Sequence, residues 1–158
     1  MYKRSSASDD GYYKLWVLLQ QARDLILKAR TRQLTQAGIS VIEAATLFVL
    51  ANADGTVTPA EMSRWLLREI HSTSTLLQRM EEKGLITKTK NLHYKHLIRL
   101  TLTEKGWLAY EQTMHRDTIH RILSSLSESE RKQLDASLRK LRAVAANHLG
   151  IKHEFRYP

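Results

Sequence analysis

Residues 71 to 79, HSTSTLLQR, crowd hydrogen-bonding side chains into little more than two helical turns. At about 100° per residue, Thr73, Leu77, Met80 and Gly84 share one side with Leu76 beside them. His71, Ser72, Ser74, Thr75, Gln78 and Arg79 fall on the other. The chemistry open to that side is the reading of base edges: Gln pairs bidentately with adenine, Arg with guanine, and hydroxyls serve bases or phosphates. A second set, Lys88, Lys90, His93, Lys95, His96 and Arg99, follows on a ribbon and its tip. It suits a minor groove or flanking phosphates, contacts that give affinity more than sequence choice. Ordinary solvated surface is the competing explanation for any one of these residues. The coincidence of both sets within residues 64 to 106, which hold 9 basic and 4 acidic side chains, favours recognition.

Other chemistry is poorly served. The 7 His form no H-E-x-x-H, there is no Gly-rich phosphate loop and no nucleophile elbow, and the chain has 0 Cys, which removes thiolate catalysis and Cys-ligated zinc. No catalytic residue, metal site or cofactor is expected, and the chain is not read as an enzyme. The 25 Lys and Arg against 16 Asp and Glu leave a net charge of +9, which favours a polyanionic partner. The longest apolar run, VIEAATLFVLANA, is shorter than the ~20 residues of a membrane span and contains Glu43. No membrane partner is expected, and the reading is a cytoplasmic protein.

The elements that must position these residues are marked by their caps. Apolar residues at helical spacing, Leu15, Trp16, Leu19, Ala22, Ile26 and Ala29, predict a helix over about 12–37 that stops at Gly38. Ser40 and Glu43 make a capping box for a second helix through Leu50. Thr58, Pro59 and Glu61 start a third through about Leu67, and a fourth runs from about Ile70 to Lys83. LITKTK and LIRLTLT flank NLHYKH as a two-stranded ribbon. Two long helices follow, from Glu104 to about Leu126 behind a Thr103 cap, and from about Glu128 to Leu149 behind Ser127 and Glu130. The fold class is mainly α with a small β-hairpin wing, a winged helix-turn-helix with long terminal helices. Nothing divides the 158 residues into separate domains. Leu134, Leu138, Leu141 and Ala145 line one face of the last helix, and Ile119, Ile122, Leu123 and Leu126 extend the apolar surface. That is more than one lobe covers, so a homodimer is expected.

LLQRMEEKGLITK (76–88), LTEKG (102–106) and LSESER (126–131) resemble the second helix, first wing strand, post-wing helix start and last-helix start of the MarR family of transcriptional regulators. In outline the resemblance covers residues 12–149. It implies a sequence-specific repressor of double-stranded DNA acting as a homodimer at a palindromic operator. The dimer would be held by the terminal helices, about 12–37 with Leu15, Trp16 and Leu19 and about 104–149 with Leu134, Leu138, Leu141 and Ala145. The DNA-binding lobe would span about 40–103. Many members also carry a small-molecule effector site between dimer interface and lobe. The wing tip departs from the family: Asn91, His93, Tyr94 and Lys95 stand where Asp, Arg, Asp and Arg are usual, and Lys lacks the arginine fork. Glu69 stands where the family has a better cap for the recognition helix. Two other functions fit the same residues, a sequence-tolerant nucleoid or RNA-binding protein and a protein-interaction module that has lost DNA binding.

Overall fold

The computed structural model describes residues 10–53, 56–90, 97–153 and 155. In chain order the elements are α1 (Gly11–Thr35), α2 (Val41–Asn52), α3 (Pro59–Trp65), α4 (Ile70–Glu82), β1 (Ile86–Lys90), β2 (Ile98–Leu102), α5 (Glu104–Thr113), α6 (Asp117–Leu123) and α7 (Glu128–His148). Capping boxes form at Ser40/Glu43, Thr58/Glu61 and Ser127/Glu130, each satisfying two backbone donors that a helix start leaves open. Asp10, outside the expected span, caps α1 through the Tyr12 and Tyr13 amides. Gly38 and Gly84 take positive φ just past the ends of α1 and α4, where a side chain would be strained.

One core ties the lobe together. Leu34 and Ile39 meet Leu47 and Val49 of α2, Met62 of α3, Leu76, Leu77 and Met80 of α4, Ile86 and Leu100 of the ribbon, and Ala109 of α5. The ribbon is antiparallel, with Ile86 opposite Leu102, Lys88 opposite Leu100 and Lys90 opposite Ile98. A bridge unforeseen in the sequence adds Val57 to its edge, where the Leu100 amide donates to the Val57 carbonyl. Helix α5 is seated on the ribbon by Thr103, whose hydroxyl donates to the Gly84 carbonyl and accepts from the Gly106 amide.

The helix expected from Glu104 to about Leu126 is two helices, α5 and α6, with a break at residues 114–116. No Pro or Gly causes it. Arg30 of α1, itself buried, donates to the carbonyls of Thr113 at 2.6 Å and His115 at 2.9 Å, and Gln33 donates to His115 as well. Those carbonyls would otherwise accept within a continuous helix. Beyond the break, α6 and α7 contribute no buried residue.

Candidate nucleic-acid interface

The four positions that anchor α4 are buried: Thr73, Leu76, Leu77 and Met80 are each at most 3% exposed. Their spacing rolls the opposite side outward, and all six residues singled out there, His71, Ser72, Ser74, Thr75, Gln78 and Arg79, are exposed together on one face. They are not equally unengaged. The Thr75 hydroxyl donates to the His71 carbonyl one turn back, and the Gln78 amide donates to Glu82 at 3.1 Å. Glu69 makes no side-chain cap, leaving the first turn of α4 with uncapped amides at the exposed end.

Arg79 lies beside Glu43, the capping-box residue of α2. Glu43 of α2 is 1% exposed and accepts from Lys83 at 2.8 Å, with the Arg79 Nε at 3.8 Å from the same oxygen. Its other oxygen accepts from the Ser40 amide and hydroxyl. Burial pushes the Glu43 carboxyl up, but the hydrogen bonds from Lys83 and Ser40 outweigh it and hold the group below its usual range. The carboxylate therefore stays charged and fixes one edge of the recognition face against α2. A signal for it was present: a lone carboxylate within an apolar helix must find a cation or stay neutral.

The wing residues are split. Lys88 and Lys90 lie on the ribbon face shared with Leu100 and Ile98, whereas Arg99, opposite Thr89, lies on the other. Lys88 reaches back to Glu81 of α4 at 3.0 Å. Lys90 and Arg99 are exposed at the tip end of the ribbon. His93, Lys95 and His96, with Asn91 and Tyr94, lie outside the described residues. Among the described residues no cluster of three or more metal-ligating side chains forms.

The terminal-helix residues are laid bare as a stripe. Leu15, Trp16 and Leu19 on α1 and Leu134, Leu138, Leu141 and Ala145 on α7 are all exposed. Trp16 packs beside Tyr13, ring centroids 5.6 Å apart.

The helix pair and its two-strand wing set the chain beside known proteins of the same fold. A profile of the MarR family matches residues 37–93. HTH-type transcriptional repressor MdtR of Bacillus subtilis (strain 168) is 30% identical over 105 residues, 64% of this chain and 68% of that protein. The chain belongs to the MarR family. Transcriptional repressor MprA of Escherichia coli (strain K12) is 25% identical over 144 residues, 87% of this chain and 82% of that one. The organohalide sensing transcriptional regulator RdhR, in its ligand-free form, superposes with a TM-score of 0.80 at 30% identity, covering 93% of this chain and 89% of that chain. In its 2,4-dichlorophenol bound form the match has a TM-score of 0.76 at 34% identity, covering 84% of this chain and 79% of that chain. The winged-helix fold expected from the sequence is the one observed.

Proposed function

We propose that this MarR-family regulator is a homodimeric repressor that binds a palindromic double-stranded DNA operator in the cytoplasm and is relieved by a small-molecule effector. It is a binding protein and not an enzyme. In this reading the lobe at about 40–103 carries DNA recognition, and the arms at about 12–37 and 104–149 carry dimerisation. His71, Ser72, Ser74, Thr75, Gln78 and Arg79 face base edges, with Lys88, Lys90, His93, Lys95, His96 and Arg99 serving the backbone. The observation that carries the reading is the outward face of α4: four buried anchors aim all six donors the same way, as a helix entering a major groove requires. Two repressors among the relatives, and a relative bound to a chlorinated phenol, support repression and its relief.

Selection of bound duplexes from a random library at near-physiological salt tests it. A palindrome should emerge with half-site centres about one helical turn, ~10 bp, apart, preferred over scrambled duplex on the order of 10³-fold or more. Binding that is salt-sensitive but equal for all sequences would instead identify a nucleoid-type protein. No binding would return the chain to a protein-interaction role.

A further inference from the structure

The break between α5 and α6 is held from two sides. From α1, Arg30 and Gln33 donate to the carbonyls of Thr113 and His115. On the α2 side, the Arg116 guanidinium lies over Phe48, its central carbon 5.4 Å from the ring centroid, a cation–π contact that ties the start of α6 to the lobe. Between the two captured carbonyls stands Met114, the residue that ends α5. Its sulfur accepts from an Arg116 guanidinium nitrogen at 3.2 Å, so one guanidinium is shared between a thioether and an aromatic ring. The chain has 4 Met and 0 Cys, and two-electron oxidation of a side-chain sulfur therefore falls to methionine. Met62 and Met80 are fully buried, whereas Met114 is 47% exposed; Met1 lies outside the described residues.

We propose that Met114 is a site of reversible oxidation whose sulfoxide releases the arm from the lobe. With a hydroperoxide as oxidant, a lone pair of the thioether sulfur attacks the terminal peroxide oxygen. The S–O bond forms as the O–O bond breaks, and the departing oxygen takes up the proton to leave as water or an alcohol. The sulfur is oxidised by two electrons and the peroxide is reduced by two. A thioether is a weak acceptor, whereas the sulfoxide oxygen is strongly polar and projects from the sulfur toward its donor. At 3.2 Å the sulfur and the Arg116 nitrogen leave no room for an oxygen between them, so the guanidinium must draw back to donate to it and leaves the Phe48 ring. The tie to α2 is exchanged for one within residues 114–116, and the break is left to Arg30 and Gln33. Arms loosened in this way no longer fix the spacing of two lobes, and DNA affinity falls. That last consequence rests on the function proposed above; the oxidation and the release do not.

The test treats the full chain with hydrogen peroxide and follows it by peptide mass spectrometry and amide hydrogen exchange. Met114 is expected to gain oxygen ahead of Met62 and Met80, and exchange at residues 113–117 to quicken about fivefold or more, both changes being reversed by methionine sulfoxide reductases. Met114→Leu, which conserves volume and has no sulfur to oxidise, should keep the untreated parent's exchange before and after peroxide. Arg116→Ala should exchange at the break as fast untreated as the oxidised parent and gain nothing further from peroxide. The proposal is overturned if Met62 or Met80 oxidises as readily, if sulfoxide at Met114 leaves exchange at the break unchanged, or if either variant responds to peroxide as the parent does. On the selected duplex, the oxidised parent should bind about fivefold more weakly or worse, with Met114→Leu unmoved. Oxidation and release without that loss overturn the regulatory consequence. The expected exchange pattern in a chain that binds no duplex upholds the site and removes the DNA reading alone.

Discussion

Glu43 is where single residues matter most. It closes the α2 cap, cancels Lys83 and steadies Arg79, and it does so from a position almost wholly out of water. Glu43→Gln keeps the shape and the cap but loses the charge, so stability at pH 7 should fall by about 1–3 kcal/mol in urea melts. The folded carboxyl titrates below its ordinary value. Its contribution is therefore fully present above the unfolded-state value of about 4.3 and lost as pH falls through the folded one. The difference between parent and Glu43→Gln should shrink over that acid range, and a constant difference would show that the pairing is not what Glu43 supplies. For DNA, Arg79→Ala should relax preference at one base position, whereas Lys90→Ala should weaken all sequences alike and lower the salt slope by about 1. Selected-site profiles and salt titrations read the two apart. The Ser40/Glu43 cap was legible because its residues lie three apart. The Lys83 partnership was not, because nothing local to Glu43 says which residue forty positions on will face it.

At the scale of elements, two joints decide how the arms leave the lobe. One is the seat of α5 on the ribbon, where a Cβ on Gly106 would come 2.0 Å from the Leu85 carbonyl oxygen. Gly106→Ala must pry helix from strand, and a loss of about 3 kcal/mol is expected, read as a lowered thermal midpoint. The other is the α5–α6 break. Arg30→Met strips the Thr113 carbonyl of its donor and leaves His115 to Gln33 alone, so a loss of about 2 kcal/mol is expected. Hydrogen exchange should rise first at residues around the break; protection unchanged there would mean that Arg30 does not hold it. The caps and apolar spacing placed most helix boundaries within a few residues, since those are local properties of the chain. The break escaped because residues 113–117 carry no breaker, and the group that opens the helix is Arg30, more than eighty positions away. The Val57 bridge escaped for a similar reason: one residue pairing with a ribbon edge leaves no period to read.

Across the whole molecule, the buried core joins the lobe to the end of α1 and to α5, and α6 and α7 stay outside it. Leu138 is 42% and Leu141 54% exposed on a 21-residue helix that buries none of its side chains. The apolar stripe that predicted a partner was visible from its spacing alone, and its exposure in the single chain supports that expectation. Leu138→Lys with Leu141→Lys should leave the lobe folded but halve the mass seen in sedimentation and abolish tight binding to a two-half-site duplex. A double variant that sediments like the parent would place the contact elsewhere. Most helical stability in proteins comes from tertiary packing, which α7 lacks in the single chain, whereas the lobe packs around a buried core. Dilution alone should therefore separate the molecule into two melting events, a concentration-independent one for the lobe and an earlier one for the arms that moves with protein concentration by mass action. The number of copies present thus becomes a thermodynamic variable, setting how much of the chain has arms rigid enough to hold two lobes at a fixed distance.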